Sequence, residues 1–228
     1  MTLSEFQEDI AKLFLRLNGY VTTGLIIHSD KKGNNKTQID LVAVRFPFHN
    51  QEDRVIQSSE YLQIPPTTID IIIGEVKGGE EKNQFNPSLR GDHDAIEKLV
   101  KWIGVIPQER NNEIIDWLTE EFRTKEVNKL ADFPNLTIDN TYSIRPMVFN
   151  LDDPQPRNTQ KRFVYGDLML KYIWDCFRPE NERETCSTTY PLNLWGHSLT
   201  PIVEYFKDKA RTAPGTALDL YRYFNFKK

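Results

Sequence analysis

Ile69-Asp70-Ile71-Ile72-Ile73-Gly74-Glu75-Val76-Lys77 is the stretch that decides the fold. Isoleucine fills four of its first five positions, and β-branched side chains favour the pleated backbone of a strand. Apolar residues on both alternating faces predict a strand covered on both sides, and so a central one. Gly78-Gly79 ends it. The last residues change character. Glu75 and Lys77 are two apart and share one face, while Val76 takes the other.

Upstream, Gln38 to Phe46 reads as a second strand through Ile39, Leu41, Val42, Ala43 and Val44. If the two strands are antiparallel neighbours, the start of one lies beside the end of the other. Asp40 then comes to Glu75 and Lys77, and the long polar connection from Pro47 to Pro66, with room for one short strand, does not alter that pairing. Residues 3 to 18 form a helix, because Leu3, Phe6, Ile10, Leu13, Phe14 and Leu17 recur at helical spacing. Either Thr2 or Ser4 caps it, and Asn18-Gly19 stops it. Tyr20 to Ile27 is a short strand, and His28 to Lys36 a loop or hairpin turn.

Downstream, Ile96, Leu99, Val100 and Ile103 are spaced for one helix, and Ile114, Ile115, Leu118 and Phe122 for the next. Tyr142 to Asn150 is a strand holding Pro146, which places it near a sheet edge. Phe163 to Phe177 is a helix, or a strand and then a helix. Ser198 to Lys209 and Ala217 to Phe224 are two final helices. The order gives an α/β class, a mixed sheet flanked by helices with a mostly helical C-terminal extension. The expected division is a core over residues 1–165 and an extension over 166–228, packed on the same domain.

Two carboxylates at close range repel, and burying them is costly unless a cation joins them. Mg²⁺ takes a few carboxylate oxygens and fills its octahedron with water and phosphate oxygens. An ammonium beside them orients a water or offsets developing negative charge. Asp40, Glu75 and Lys77 are therefore candidates for phosphodiester hydrolysis, with Asp40 and Glu75 as metal ligands.

Residues 1 to about 80 resemble the N-terminal core of a PD-(D/E)xK (restriction-endonuclease-like) nuclease, in the Mrr-like pattern. The matching text is Phe6-Gln7-Glu8 in the first helix, Asn18-Gly19-Tyr20 at its close, Thr37-Gln38-Ile39-Asp40-Leu41, and Gly74-Glu75-Val76-Lys77. The resemblance implies a restriction-endonuclease-like fold and a Mg²⁺-dependent endonuclease, with Mn²⁺ able to substitute. It implies metal ligation by Asp40 and Glu75, catalysis by Lys77, and a contribution to the metal site from Glu8. Ile39 stands where the family has its proline, and the long gap between Asp40 and Glu75 suggests an insertion. A prokaryotic restriction or antiviral-defence role follows from the resemblance alone. Cutting both strands of DNA would need two sites, supplied by a homodimer, while a partner protein could supply specificity.

The 228 residues carry a net charge of −4, which excludes a wholly basic nucleic-acid-binding surface and asks for a local strip instead. Lys31, Lys32, Lys36, Lys82 and Arg90 flank the candidate site and either meet phosphates or lie on solvated surface, and Arg157, Lys161 and Arg162 are a further small basic cluster open to the same two readings. Asp92, His93 and Asp94 resemble a metal trio but sit where a helix should start, which favours capping. No apolar run spans a membrane, and Met1-Thr2-Leu3-Ser4-Glu5 has no export-signal pattern. The expectation is a cytoplasmic protein in which Cys176 and Cys186 are free thiols. The alternative to a nuclease is a catalytically silent nuclease-like module that binds nucleic acid or a partner protein.

Overall fold

The computed structural model describes residues 1–28, 35–51, 53–79, 83–123, 133–153, 163–178, 186 and 195–227. Helix α1 (Leu3–Leu17) is followed by strands β1 (Val21–His28), β2 (Asn35–Arg45) and β3 (Ile69–Lys77). Then come α2 (Pro87–Gly91), α3 (His93–Ile103), α4 (Asn111–Arg123), β4 (Leu136–Ile138), β5 (Tyr142–Asn150) and β6 (Phe163–Tyr165). Helices α5 (Gly166–Phe177), α6 (Gly196–Lys207) and α7 (Ala217–Tyr223) complete the chain. Thr2, not Ser4, caps α1: its hydroxyl accepts the Glu5 N–H at 3.2 Å while the Glu5 carboxylate accepts the Thr2 N–H at 2.6 Å.

The six strands make one mixed sheet in the order β1-β2-β3-β5-β4, with β6 also paired to β5. β1, β2 and β3 form an antiparallel meander, and β3 runs parallel to β5. The isoleucine-rich strand is thus central, as its composition implies. One face presents Leu41, Ala43, Ile72, Met147 and Phe149 to α1, α5, α6 and α7. The other presents Ile39, Val42, Ile73, Ile144 and Val148 to α2, α3 and α4. The sheet is therefore sandwiched between two helical layers.

Three expectations need correction. β5 is interior, not near an edge. β4 pairs with it through Ile144 and β6 from Val148 onward, so among the described residues Pro146 faces a gap between those two partners, where a missing N–H forfeits little. The connection after β2 holds a single 3₁₀ turn at Glu60–Leu62 and no short strand among its described residues. Cys176, near the end of α5, and Cys186 form a disulfide with Cα atoms 5.0 Å apart, not two free thiols. The spacing of the two cysteines in the sequence does not show that the chain returns to α5.

At the start of β3 lies a buried ion pair. Arg145 donates from Nε to Asp70 Oδ1 at 2.8 Å and from Nη2 to Oδ2 at 2.5 Å, and its Nη1 meets the Leu62 carbonyl at 2.6 Å. The Tyr20 hydroxyl donates to Asp70 Oδ2 at 2.5 Å. Each of the three Arg145 nitrogens thus has a hydrogen-bond partner, which is what lets a charge pair persist in a core. No helix among the described residues is long and apolar enough to cross a membrane.

Candidate functional site

The β2–β3 ladder runs from Arg45↔Asp70 to Leu41↔Gly74, and its register would next set Asp40 against Glu75. At that point the ladder gives way to a side chain. Asp40 Oδ2 accepts the Val76 backbone N–H at 2.9 Å, so the carboxylate spans the mouth between the two strands. A bulge brings it there. On the other side of β2, Thr23 pairs with Val42 and Leu25 with Ile39, so Gly24 alone opposes both Asp40 and Leu41. The extra residue breaks the alternation of faces, and Ile39 and Val42 consequently join the same core layer. A Cβ on Gly24 would come within 3.3 Å of the Asp40 carbonyl, which fits a glycine at the bulge. On the opposite flank, Gly74 lets β3 close on its neighbours, since a Cβ there would lie 2.9 Å from Leu41 Cδ2 and 3.1 Å from Phe149 Cε2.

Glu75 is 3% exposed. Its Oε1 accepts from Lys77 Nζ at 2.8 Å and its Oε2 from Asn86 Nδ2 at 3.2 Å. Burial, and then the charge of Asp40, push its carboxyl up to about 7, while Lys77 and Asn86 pull the other way. Asp40 is raised as well, first by burial; the Val76 N–H opposes this, the Glu8 carboxylate adds to it, and Lys77 and Lys12 relieve it. Two carboxylates and one ammonium thus share the end of the sheet, and Glu75 feels the charge of Asp40.

Glu8 comes to the same end from α1. Its Oε2 pairs with Lys12 at 3.0 Å and its Oε1 accepts from Gln38 Nε2 at 3.4 Å. Its charge reaches Asp40, but its oxygens are engaged by these two neighbours. Lys12 and Asn86 are site residues that the sequence reading passes over. Lys12 stands one turn beyond Glu8, a spacing at which i,i+4 partners meet. Asn86-Pro87 carries the signal of an N-cap with proline at the first helical position, yet nothing in that signal shows the amide reaching Glu75.

Of the basic candidates, Lys36 lies 2.9 Å from Asp92 and 2.5 Å from Asp94, and Arg90 Nε donates to the Phe85 carbonyl. Both are tied to neighbouring structure. Lys31, Lys32, Lys82, Arg157, Lys161 and Arg162 lie outside the described residues. Asp92 caps α3 by accepting the Ala95 N–H at 3.3 Å, as its position suggests. Among the described residues no three His, Cys, Asp or Glu side chains gather so as to hold a metal ion.

The chain matches no protein-family model, no curated protein and no solved structure.

The site therefore stands on its own geometry. Just past Lys77, a second polar cluster holds the turn that follows it. The Gln7 amide lies so close to Gly78 that a Cβ there would meet it at 2.3 Å. Gln7 Nε2 donates to Asp152 Oδ2 at 3.0 Å and to the Tyr221 hydroxyl at 2.8 Å, and the Gly79 N–H donates to the same Asp152 carboxylate. Elements from both ends of the chain, α1 and α7, thus buttress the exit of β3.

Proposed function

We propose that this protein is a metal-dependent nuclease of the PD-(D/E)xK kind, hydrolysing phosphodiester bonds in DNA, with a role in prokaryotic restriction or defence. The observation that carries the reading is the convergence of Asp40, Glu75 and Lys77 at one sheet end, with Glu75 buried and its carboxyl raised toward 7. Such a pair is costly to ionise together, and a cation between the two lowers that cost. Asp40 and Glu75 offer hard oxygen donors that suit Mg²⁺, and a site with two carboxylates leaves the remaining positions to water and phosphate. When bound, the cation supplies positive charge against the phosphate and acidifies a water.

The chain's own residues do the rest. Asp40 braces β2 against β3 through the Val76 N–H, which fixes the separation of the two carboxylates. Lys77 is held by Glu75, and it would orient the attacking water or offset charge building on the phosphate oxygens. Glu8 and Lys12 form a charged pair on α1 beside the site, and Lys12 is a candidate for a phosphate contact. The net charge of −4 favours a second reading, a nuclease-like module that binds without cutting.

Purified protein should nick or cut DNA with Mg²⁺ or Mn²⁺ and not with EDTA. Asp40→Ala, Glu75→Ala and Lys77→Ala should each remove at least a hundredfold of that activity, about 3 kcal/mol in the barrier. Full activity in Asp40→Ala would sink the assignment, and binding without cutting by the wild type would favour the module.

A further inference from the structure

We propose that Asn86 is a positioning residue for the metal site, holding the Glu75 carboxylate in the orientation that ligation needs. This rests on the nuclease reading. The side chain joins three elements. Its Oδ1 accepts the Leu89 N–H at 2.9 Å as the cap of α2, and the Thr37 hydroxyl of β2 at 3.3 Å. Its Nδ2 donates to the Gln38 carbonyl of β2 at 3.2 Å and to Glu75 Oε2 of β3 at 3.2 Å. An amide has two donor hydrogens and two acceptor sites, and each has a partner in reach here, with the Thr37 proton shared between Asn86 Oδ1 and the Gln38 carbonyl.

The orientation of the amide is not arbitrary. A backbone N–H can be met only by the oxygen, so capping α2 forces the nitrogen toward Glu75. The cap therefore aims the donor. Lys77 already holds the other oxygen of Glu75, so the two oxygens are gripped from two different elements and rotation of the carboxylate about its last bond is blocked. Each oxygen keeps a second acceptor site for a cation. Groups that hold metal ligands in this way commonly contribute tenfold to a hundredfold in affinity.

Removal of Asn86 by alanine would confound two roles, because it also uncaps the helix. Asn86→Ser separates them. Serine caps about as well as asparagine, but it has no nitrogen to offer Glu75. Mn²⁺ binding should be measured by calorimetry on the full chain for wild type, Asn86→Ser and Glu75→Gln, with urea midpoints beside it and DNA cleavage as a separate readout. The expected result is a single cooperative Asn86→Ser transition with a small drop in midpoint, because the ties to Thr37 and Gln38 go with the amide, Mn²⁺ affinity weakened tenfold to a hundredfold, and cleavage lowered with it. Glu75→Gln should bind far more weakly still. Equal Mn²⁺ affinity in wild type and Asn86→Ser, with Glu75→Gln impaired, would overturn the positioning role and leave the nuclease reading intact. Recovery of wild-type Mn²⁺ affinity by Asn86→Ser in a stabilising osmolyte would reduce Asn86 to a structural tie between α2 and β2 and overturn the positioning role. Wild type that neither binds Mn²⁺ nor cuts DNA would overturn the nuclease reading, and this inference with it.

Discussion

Glu75→Gln should stabilise the metal-free protein above neutral pH, and by an amount that can be worked out. The Glu75 carboxyl lies at about 7 in the fold against an ordinary 4.5. The folded protein therefore holds that proton more tightly than the unfolded chain does. Stability from this group is fully present below about 4.5 and is lost as pH rises through 7. The distance from 4.5 to about 7, at roughly 1.4 kcal/mol per pH unit, comes to about 3 kcal/mol. Attraction to Lys77 is already inside that figure, since it acts against burial and Asp40. Glutamine cannot ionise and escapes the loss. Urea denaturation in EDTA should show Glu75→Gln more stable than wild type by about 2–3 kcal/mol at pH 8.5, a midpoint higher by roughly 1 M. At pH 4.5 the two should agree to within about 0.5 kcal/mol. A Glu75→Gln protein less stable than wild type at pH 8.5 would refute the reasoning. Glu75 would then be a favourable partner of Lys77 and not a carboxylate that waits for a cation.

Metal should reverse that order. At about 100 times its dissociation constant Mn²⁺ should stabilise wild type by roughly 2.7 kcal/mol, raising Tm by several degrees, and should move Asp40→Asn or Glu75→Gln far less; equal shifts in all three would count against ligation. Arg145→Met strands Asp70 in the core and should cost about 3–5 kcal/mol in chemical denaturation, whereas a loss under about 1 kcal/mol would mean that Tyr20 alone satisfies Asp70. The disulfide closes a short loop, so its reduction should lower stability by about 2–3 kcal/mol, and Cys176→Ser should show the same loss with no further effect of reductant.

Which of these features a reader of the sequence can find follows from what each depends on. The central strand is legible because Ile69 to Ile73 carries its own propensity and its own two-faced burial. Asp40 and Glu75 are legible as a pair because antiparallel register requires only parity and direction. The bulge is not legible. An extra residue at Asp40-Leu41 leaves the apolar run unchanged, and only the partner strand reveals that Gly24 stands against both. Pro146 misleads for a related reason, since its tolerance depends on two short strands leaving a gap beside it, and β4 has just three residues. Asn86 announces its cap and conceals its reach, because the contact with Glu75 crosses from one element to another. The Asp70–Arg145 pair is of the same sort: an aspartate amid isoleucines gives no hint of the cation that meets it from β5.

The placement of that ion pair has a consequence for misfolding. β3 bears Asp70 near its start and Glu75 near its end; Asp70 finds Arg145 on β5, and Glu75 finds Lys77 and Asn86. A slip of one residue would turn every side chain to the wrong face. A slip of two would keep the faces right and still put an isoleucine in the place of Ile71, while Asp70 or Gly74 would fall in the place of Ile72. It would also tear Asp70 from Arg145 and leave both charges stranded in the interior. The buried pair thus proofreads the alignment of the strand alongside Gly74, and the chemistry at the far end inherits that register.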